Sequence, residues 1–298
     1  MPSTYIRYLL FVGLTLLNQS WALSQMINNK DGKAFESPLT FNRSFLWENK
    51  IAQIHETTVI KMAGRPLVDS DEMATHYFDY TGLLERTTKQ MPQTENTDTA
   101  SILYKRNDIG QLFLIEATNG KNITITENNY DPTGKLNRTE TKERILQEGL
   151  EPRDILIEST TYEYSFPKQN TIRRENINNY GLAYSAITTE RNEQGFLLSE
   201  TEEWYISKKV ITKVYTYNEM GWVSSVVSTS NMNEPEEKID YTYDNNGNVQ
   251  TAKKYLQKKA VEEYEVIYQN NALVKAILHQ DLSSTAITIH KYEYTFRP

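Results

Sequence analysis

Tyr241-Thr242-Tyr243-Asp244-Asn245-Asn246-Gly247-Asn248-Val249 is the stretch that decides the fold. Its motif is an aromatic residue or Arg, then Asp or Asn, two variable residues, Gly, and an apolar residue two places on. The motif recurs as Phe78-Asp79-Tyr80-Thr81-Gly82-Leu83-Leu84, Arg106-Asn107-Asp108-Ile109-Gly110-Gln111-Leu112 and Tyr130-Asp131-Pro132-Thr133-Gly134-Lys135-Leu136. It returns as Arg191-Asn192-Glu193-Gln194-Gly195-Phe196-Leu197 and Tyr217-Asn218-Glu219-Met220-Gly221-Trp222-Val223. A last copy, Tyr268-Gln269-Asn270-Asn271-Ala272-Leu273-Val274, carries Ala in place of Gly. The spacing of about 25 residues marks a repeat architecture.

Each copy reads as a turn between two strands. Asp or Asn hydrogen-bonds to backbone two residues on, and Gly supplies the positive φ that closes the turn. A type I turn ending in a Gly bulge joins antiparallel strands. Before the turn Ile239, Tyr241 and Tyr243 alternate, as do Tyr264, Val266 and Tyr268; after it Val223, Ser225 and Val227 do so. A period of two is that of a half-buried antiparallel strand. Lys258-Lys259 and Asn231-Met232-Asn233-Glu234-Pro235 read as the second turn of a repeat. The expected fold is therefore all-β: repeated antiparallel hairpins in one long meandering sheet, curved or partly closed.

Between Gly134 and Gly195 the phase is disturbed. Tyr162, Tyr164 and Phe166 followed by Pro167 read as a decayed copy, Tyr180-Gly181-Leu182 as a turn out of phase, and Lys142 to Leu150 as a short helix or a polar connection. Gln90 to Thr99 reads as an exposed loop, and Gly64-Arg65-Pro66 as a turn ahead of the first copy.

Residues 1–22 have the pattern of a secretory signal peptide: Arg7, an apolar run from Tyr8 to Leu17, and Ser20-Trp21-Ala22 before the expected cleavage. The run is too short to span a bilayer, which takes about 20 residues. Residues 23–50 read as a loose polar leader, and 51–298 as the hairpin array. The chain has no Cys, which excludes a disulfide scaffold. Of 32 basic residues only Arg7 lies in the first 22, leaving 31 against 39 acidic ones. An acidic exported chain without a basic stripe is expected to bind neither nucleic acid nor anionic membranes. No later apolar stretch would make it an integral membrane protein, and nothing in the sequence sets its oligomeric state.

Tyr-Thr-Tyr-Asp-Asn-Asn-Gly-Asn-Val (241–249), Tyr-Thr-Tyr-Asn-Glu-Met-Gly-Trp-Val (215–223) and Tyr-Asp-Pro-Thr-Gly-Lys-Leu (130–136) resemble YD repeats of the RHS type. Such repeats make β-hairpins in secreted and surface bacterial proteins. The resemblance covers residues 77 to 298, most clearly from 205 on, and implies a hairpin sheet in a small exported protein, periplasmic or extracellular, with no catalytic residues. RHS proteins proper wind dozens of repeats into a shell around a toxin. This chain has far fewer and ends on a strand-like Tyr292-Glu293-Tyr294-Thr295-Phe296, so a toxin-cage role is not implied.

Catalytic and metal-binding patterns are sparse. His55, His76, His279 and His290 stand at no metal-ligand spacing and read as isolated, and no cofactor or metal is expected. Asp244 to Asn248 opens like a calcium loop, but Tyr255 stands where the bidentate Glu would fall, so a turn is the better reading. Glu200 and Glu202 would share a face of a strand and could make a glycosidase-like pair; carboxylates on strands more commonly form a solvated face. Asn42, Asn122 and Asn137 head formal glycosylation sequons.

The sharpest candidate is an aromatic ladder: Trp204, Tyr215, Tyr217, Trp222, Tyr241, Tyr243, Tyr264 and Tyr268. Exposed, such rings would stack on a glycan or cover a lipid; buried, they would be the packed inner face of a curved sheet. The expected function is a non-catalytic binding or envelope scaffold module with a glycan, lipid or protein as ligand. The alternatives are a polysaccharide hydrolase using a carboxylate pair, or a partner of a larger RHS-type toxin system that offers Tyr292 to Phe296 as an unpaired strand.

Overall fold

The computed structural model describes residues 25–35, 41–90, 99–147 and 149–298. The expected signal peptide and nearly all of the expected loop from Gln90 to Thr99 lie outside the described residues. Among the described residues, eighteen strands follow one short helix, α1 (Arg43–Glu48). They are β1 (Ile51–Met62), β2 (Leu67–Phe78), β3 (Leu84–Gln90), β4 (Thr99–Arg106), β5 (Leu112–Asn119), β6 (Asn122–Tyr130), β7 (Leu136–Ile145), β8 (Arg153–Ser165) and β9 (Thr171–Ile177). Then come β10 (Ala183–Arg191), β11 (Leu197–Trp204), β12 (Val210–Tyr217), β13 (Val223–Ser230), β14 (Glu237–Tyr243), β15 (Val249–Leu256), β16 (Lys259–Tyr268), β17 (Val274–Asp281) and β18 (Ala286–Phe296).

Each strand pairs antiparallel with the next, and β18 returns to pair with β1 from Phe296 opposite Ile51 to Ala286 opposite Met62. The expected meander is thus a fully closed 18-stranded barrel. Closure satisfies both edges of the sheet, so Tyr292 to Phe296 is not the unpaired strand considered from sequence: it is held by β1, and β18 also pairs with β17 through Ala276 opposite Lys291.

The repeated motif forms the turns at one end of the barrel. In the Asp244 turn the carboxylate Oδ1 accepts the backbone N–H of Asn246 at 2.8 Å and of Asn248 at 2.9 Å, while Gly247 N donates to Asp244 O at 3.0 Å. Those contacts make it a turn, as read. Gly247 has φ +85°, and Ala272 in the last copy adopts +62°. Each turn leaves a bulge, such as the register shift between Thr242 and Tyr243. Phe166-Pro167 follows in phase as the β8–β9 turn. The Asn178 turn has the same geometry, with Asn178 Oδ1 accepting from Tyr180 and Leu182, but lies at the opposite end of the barrel. That placement is the physical content of its odd phase. Lys142 to Leu150 is not a helix: β7 runs on to Ile145 and a connection follows.

Residues expected to be a loose leader are packed. Met26, Ile27 and Ala34 are buried, as are Phe45 and Leu46 of α1, and they join one core with Leu197, Val223, Val249 and Val274 just past the turns. This segment stoppers the turn-bearing end of the barrel. Asn42 caps α1 by accepting from Ser44 N at 3.0 Å. The plug also defines which face is inner. Directly paired residues share a face, so the ring Tyr215–Val226–Ile239 and Tyr241–Ala252–Tyr264 looks inward. Lys238, Asp240, Lys253, Glu263, Glu265, Lys291 and Glu293 lie on the outer wall by the same alternation.

Candidate functional site

The eight ladder residues do not form one row. Tyr215 and Tyr241 are buried under the plug, and the Tyr241 hydroxyl donates to the Gly32 carbonyl at 2.6 Å. Tyr264 is sandwiched between Phe35 of the plug, at 4.8 Å between centroids, and His279, at 4.3 Å. Tyr268 donates to Val249 O at 2.8 Å. Trp204 stands apart near the opposite end, 6.2 Å from Tyr184. Tyr217, Trp222 and Tyr243 are brought together.

These three line a pocket of about 310 Å³ between the plug and the motif turns. Its floor and sides come from consecutive repeats that interlock. Phe196, the residue after one motif Gly, lies 4.9 Å from the ring of Tyr217 in the next repeat, and Trp222 lies 5.1 Å from Tyr243 in the repeat after. The tyrosine hydroxyls then donate back to the preceding repeat: Tyr217 to Leu197 O at 2.8 Å and Tyr243 to Val223 O at 2.7 Å. The polar lining is Gln25, Asn28, Asn29, Lys30, Asp31 and Asn42 from the early segment and Arg191 from β10. Asn29 Nδ2 donates to the Tyr243 hydroxyl at 2.9 Å. Burial, only partly offset by that amide, pushes the Tyr243 phenol up to about 12, so at neutral pH it is a neutral donor and acceptor. Among the described residues, one buried oxygen of the lining, Asp31 Oδ1, has no hydrogen-bond partner. Among the described residues, Asp31 is also the one carboxylate in the lining.

A second cluster lies on the inner wall, and sequence reading missed it. Glu56 of β1 sits between two histidines: His290 Nδ1 is 2.9 Å from its Oε1 and His76 Nε2 is 3.4 Å from its Oε2. His76 Nδ1 is in turn 3.1 Å from Thr87 Oγ1. Burial disfavours the Glu56 carboxylate, but hydrogen bonds and charge from His290 and His76 outweigh it and hold its pKa at about 2. The histidines read as isolated are therefore partnered. His76 and His290 are far apart in sequence: the β1–β2 hairpin brings His76 to Glu56, and barrel closure, which puts β18 beside β1, brings His290 to the same carboxylate. Among the described residues no group of three or more His, Cys, Asp or Glu has the geometry to hold a metal ion. Glu200 and Glu202 both lie on the inner wall of β11, opposite Lys213 and Ile211, away from the pocket.

The chain matches no protein-family model and no curated protein. Among solved structures it is similar to a porin-like protein from Bacteroides uniformis, at 11% identity over 83% of this chain and 97% of that one, with a TM-score of 0.41. A porin-like protein from Bacteroides vulgatus matches at 10% identity over 80% and 97%, with a TM-score of 0.32. A TcdB2-TccC3 structure matches at 12% identity over 78% of this chain but 15% of that chain, with a TM-score of 0.26. At these scores the likenesses do not bear on what the chain does. Among the described residues no helix is long and apolar enough to cross a membrane.

Proposed function

We propose that this protein is an exported barrel that binds a small saccharide, without transforming it, in the pocket between its plug and its motif turns. The pocket itself carries the reading: the aromatic side chains of Phe196 and Trp222 beside amide, cationic and carboxylate groups of the plug and Arg191. Saccharides present apolar C–H faces rimmed by hydroxyls, which suits stacking rings next to convergent polar groups. A volume of about 310 Å³ fits one or two sugar rings, at the low end of ligand pockets. Hydrolysis by paired carboxylates needs two such groups about 5 to 10 Å apart across the scissile bond. The lining offers Asp31 alone, which favours binding over catalysis.

Export rests on the pattern of residues 1–22, and the motif turns with their tyrosine ties support kinship with YD-repeat proteins of bacterial surfaces. The outer wall supports a water-facing barrel. A spanning barrel turns an apolar band about 25 Å tall to lipid, whereas here Lys253, Glu263, Glu265, Lys291 and Glu293 point outward along the strands.

The test is a titration of the purified protein against an array of bacterial-envelope glycans, repeated with Lys30→Ala and Arg191→Ala. A hit that both variants weaken at least tenfold while folding is unchanged supports the reading. A hit that neither variant affects, or the lack of any hit, overturns it.

A further inference from the structure

Closure pairs every strand of the barrel but not every residue of it. β8 runs beside β7 over its whole length, down to Arg153 opposite Ile145. On its other side it meets β9 only from Thr161, opposite Ile177, to Ser165, opposite Arg173. β9 then turns back at Asn178, and the end of β11 is level with that turn, where Tyr205 N donates to Tyr184 O at 2.9 Å. Among the described residues no strand therefore pairs with this side of residues 153–158. At ordinary strand spacing they rise past the β9–β10 turn by roughly 20 Å. All of them are exposed, whereas Ser159 and Thr160, where the barrel wall begins, are buried. β2 also extends past its β3 pairing, which ends at Met73 opposite Gln90, but the chain after Gln90 lies outside the described residues.

The free edge of β8 is apolar in the middle and oppositely charged at its two ends. Ile155, Leu156 and Ile157 are exposed in succession, and elsewhere among the described residues no more than two successive large apolar side chains are exposed. Arg153 opens the stretch and Glu158 closes it, and neither is drawn into an ion pair with the described residues around it. Asp154, beside Arg153, is held by Arg144 at 2.7 Å. Glu151 precedes the strand, and Glu143 lies one strand away on β7.

An unpaired edge is a template for a further strand, and charges or proline usually guard it. Here the middle of the edge is unguarded. A second copy of the same stretch fits it in antiparallel pairing: the apolar middles meet, and each Arg153 comes to the end that carries Glu158 of the other copy. Parallel pairing would set Arg153 against Arg153. The antiparallel arrangement also lays the tip of each β7–β8 hairpin, with exposed Leu146 and Leu150, over the other copy's β9–β10 turn, where Tyr180 and Leu182 are exposed.

We propose that this protein forms a two-fold dimer by pairing β8 of one copy with β8 of a second, antiparallel through residues 153–158. The interface is isologous, so it closes at two copies. The barrels stand with their open ends towards each other, and both plugged ends, with their saccharide pockets, stay free.

The experiment is sedimentation of the purified protein over a concentration series, with circular dichroism to check that each variant is folded. The variants are Leu156→Lys, Arg153→Glu, Glu158→Arg, and Arg153→Glu combined with Glu158→Arg. By symmetry each single charge variant sets two like-charged ends together, whereas the combined variant exchanges the ends and keeps them complementary. Expected are a dimer of the natural chain, a dissociation constant raised at least about tenfold in each of the three single variants, and recovery in the combined one. A monomer at every concentration, a dimer that any single variant leaves undiminished, or a combined variant as weak as the single charge variants would overturn the proposal. None of these outcomes depends on the saccharide titration, which reads the other end of the barrel.

Discussion

The Tyr243 hydroxyl donates to the Val223 carbonyl at 2.7 Å, tying one repeat to the one before it. The tie recurs as Tyr217 to Leu197, Tyr268 to Val249 and, over the closing strand, Tyr294 to Val274. Tyr130 makes it to Leu112 at 2.9 Å in the first half of the barrel. In the copies that open on tyrosine, that position is thus a fastening between neighbouring hairpins, a role a phenylalanine could not fill.

Replacing that tyrosine removes a hydrogen bond and leaves a half-buried carbonyl without its donor. Tyr217→Phe and Tyr243→Phe should each destabilise the barrel by about 1–2 kcal/mol. The larger loss is expected at Tyr243, which also accepts from Asn29 of the plug. Chemical denaturation midpoints measure this, and unchanged midpoints in both variants would show that the ties are incidental.

The motif glycines offer a graded test, because their backbones are alike and their surroundings differ. Gly195, Gly221 and Gly247 have φ of +87°, +81° and +85°. A Cβ at Gly195 meets nothing, at Gly221 it comes to 3.1 Å from Phe196 Cζ, and at Gly247 it overlaps the ring of Trp222. Alanine at Gly195 should cost about 1–2 kcal/mol from positive φ alone. Alanine at Gly221 should cost more, and at Gly247 a further 1–3 kcal/mol because the Trp222 ring must leave its place against Tyr243. Equal losses at all three would mean that the stacked rings yield freely.

Stability should fall in acid through Glu56. Its folded pKa of about 2 lies below the ordinary 4.5, so it contributes stability above pH 4.5 that is lost as pH drops from 4.5 towards 2. The contribution is at most about 3 kcal/mol. Thermal melting between pH 6 and 3 should show a steeper acid loss in the natural chain than in Glu56→Gln. Parallel curves would remove the two histidines from any role in holding this carboxylate.

Deleting β18 should convert the barrel into an open sheet. Truncation before Ala286 exposes the edges of β1 and β17 together, and strips from β1 the pairing that runs from Ile51 to Met62. Loss of cooperative unfolding and concentration-dependent aggregation are expected. A monomeric truncated protein with a sharp transition would contradict the ring of pairings.

Much of the fold is legible in the residues. The Asp/Asn-x-x-Gly turns, the period-two stripes such as Ile239, Tyr241 and Tyr243, and the second turns at Lys258 and Asn231 each follow from local chemistry, acting within a few residues of backbone. The plug was not legible, because Met26, Ile27, Phe45 and Leu46 are scattered among Asn, Lys and Asp in a stretch that reads as polar until a barrel mouth receives it. The pocket residues Asn29, Asp31 and Arg191 gave no signal for the same reason: each is ordinary until the plug is seated.

What the sequence determined by itself is the unit, a hairpin of about 25 residues with an aromatic residue or Arg at its end and, in all but the last copy, a glycine in its turn. Tertiary structure alone decided that the sheet closes after eighteen strands, that Glu56 meets His76 and His290, and that the early segment fills one mouth. The reason is range. Turn and strand preferences act between residues a few positions apart, whereas closure joins Ile51 to Phe296 and is set by the accumulated twist and stagger of every strand between them.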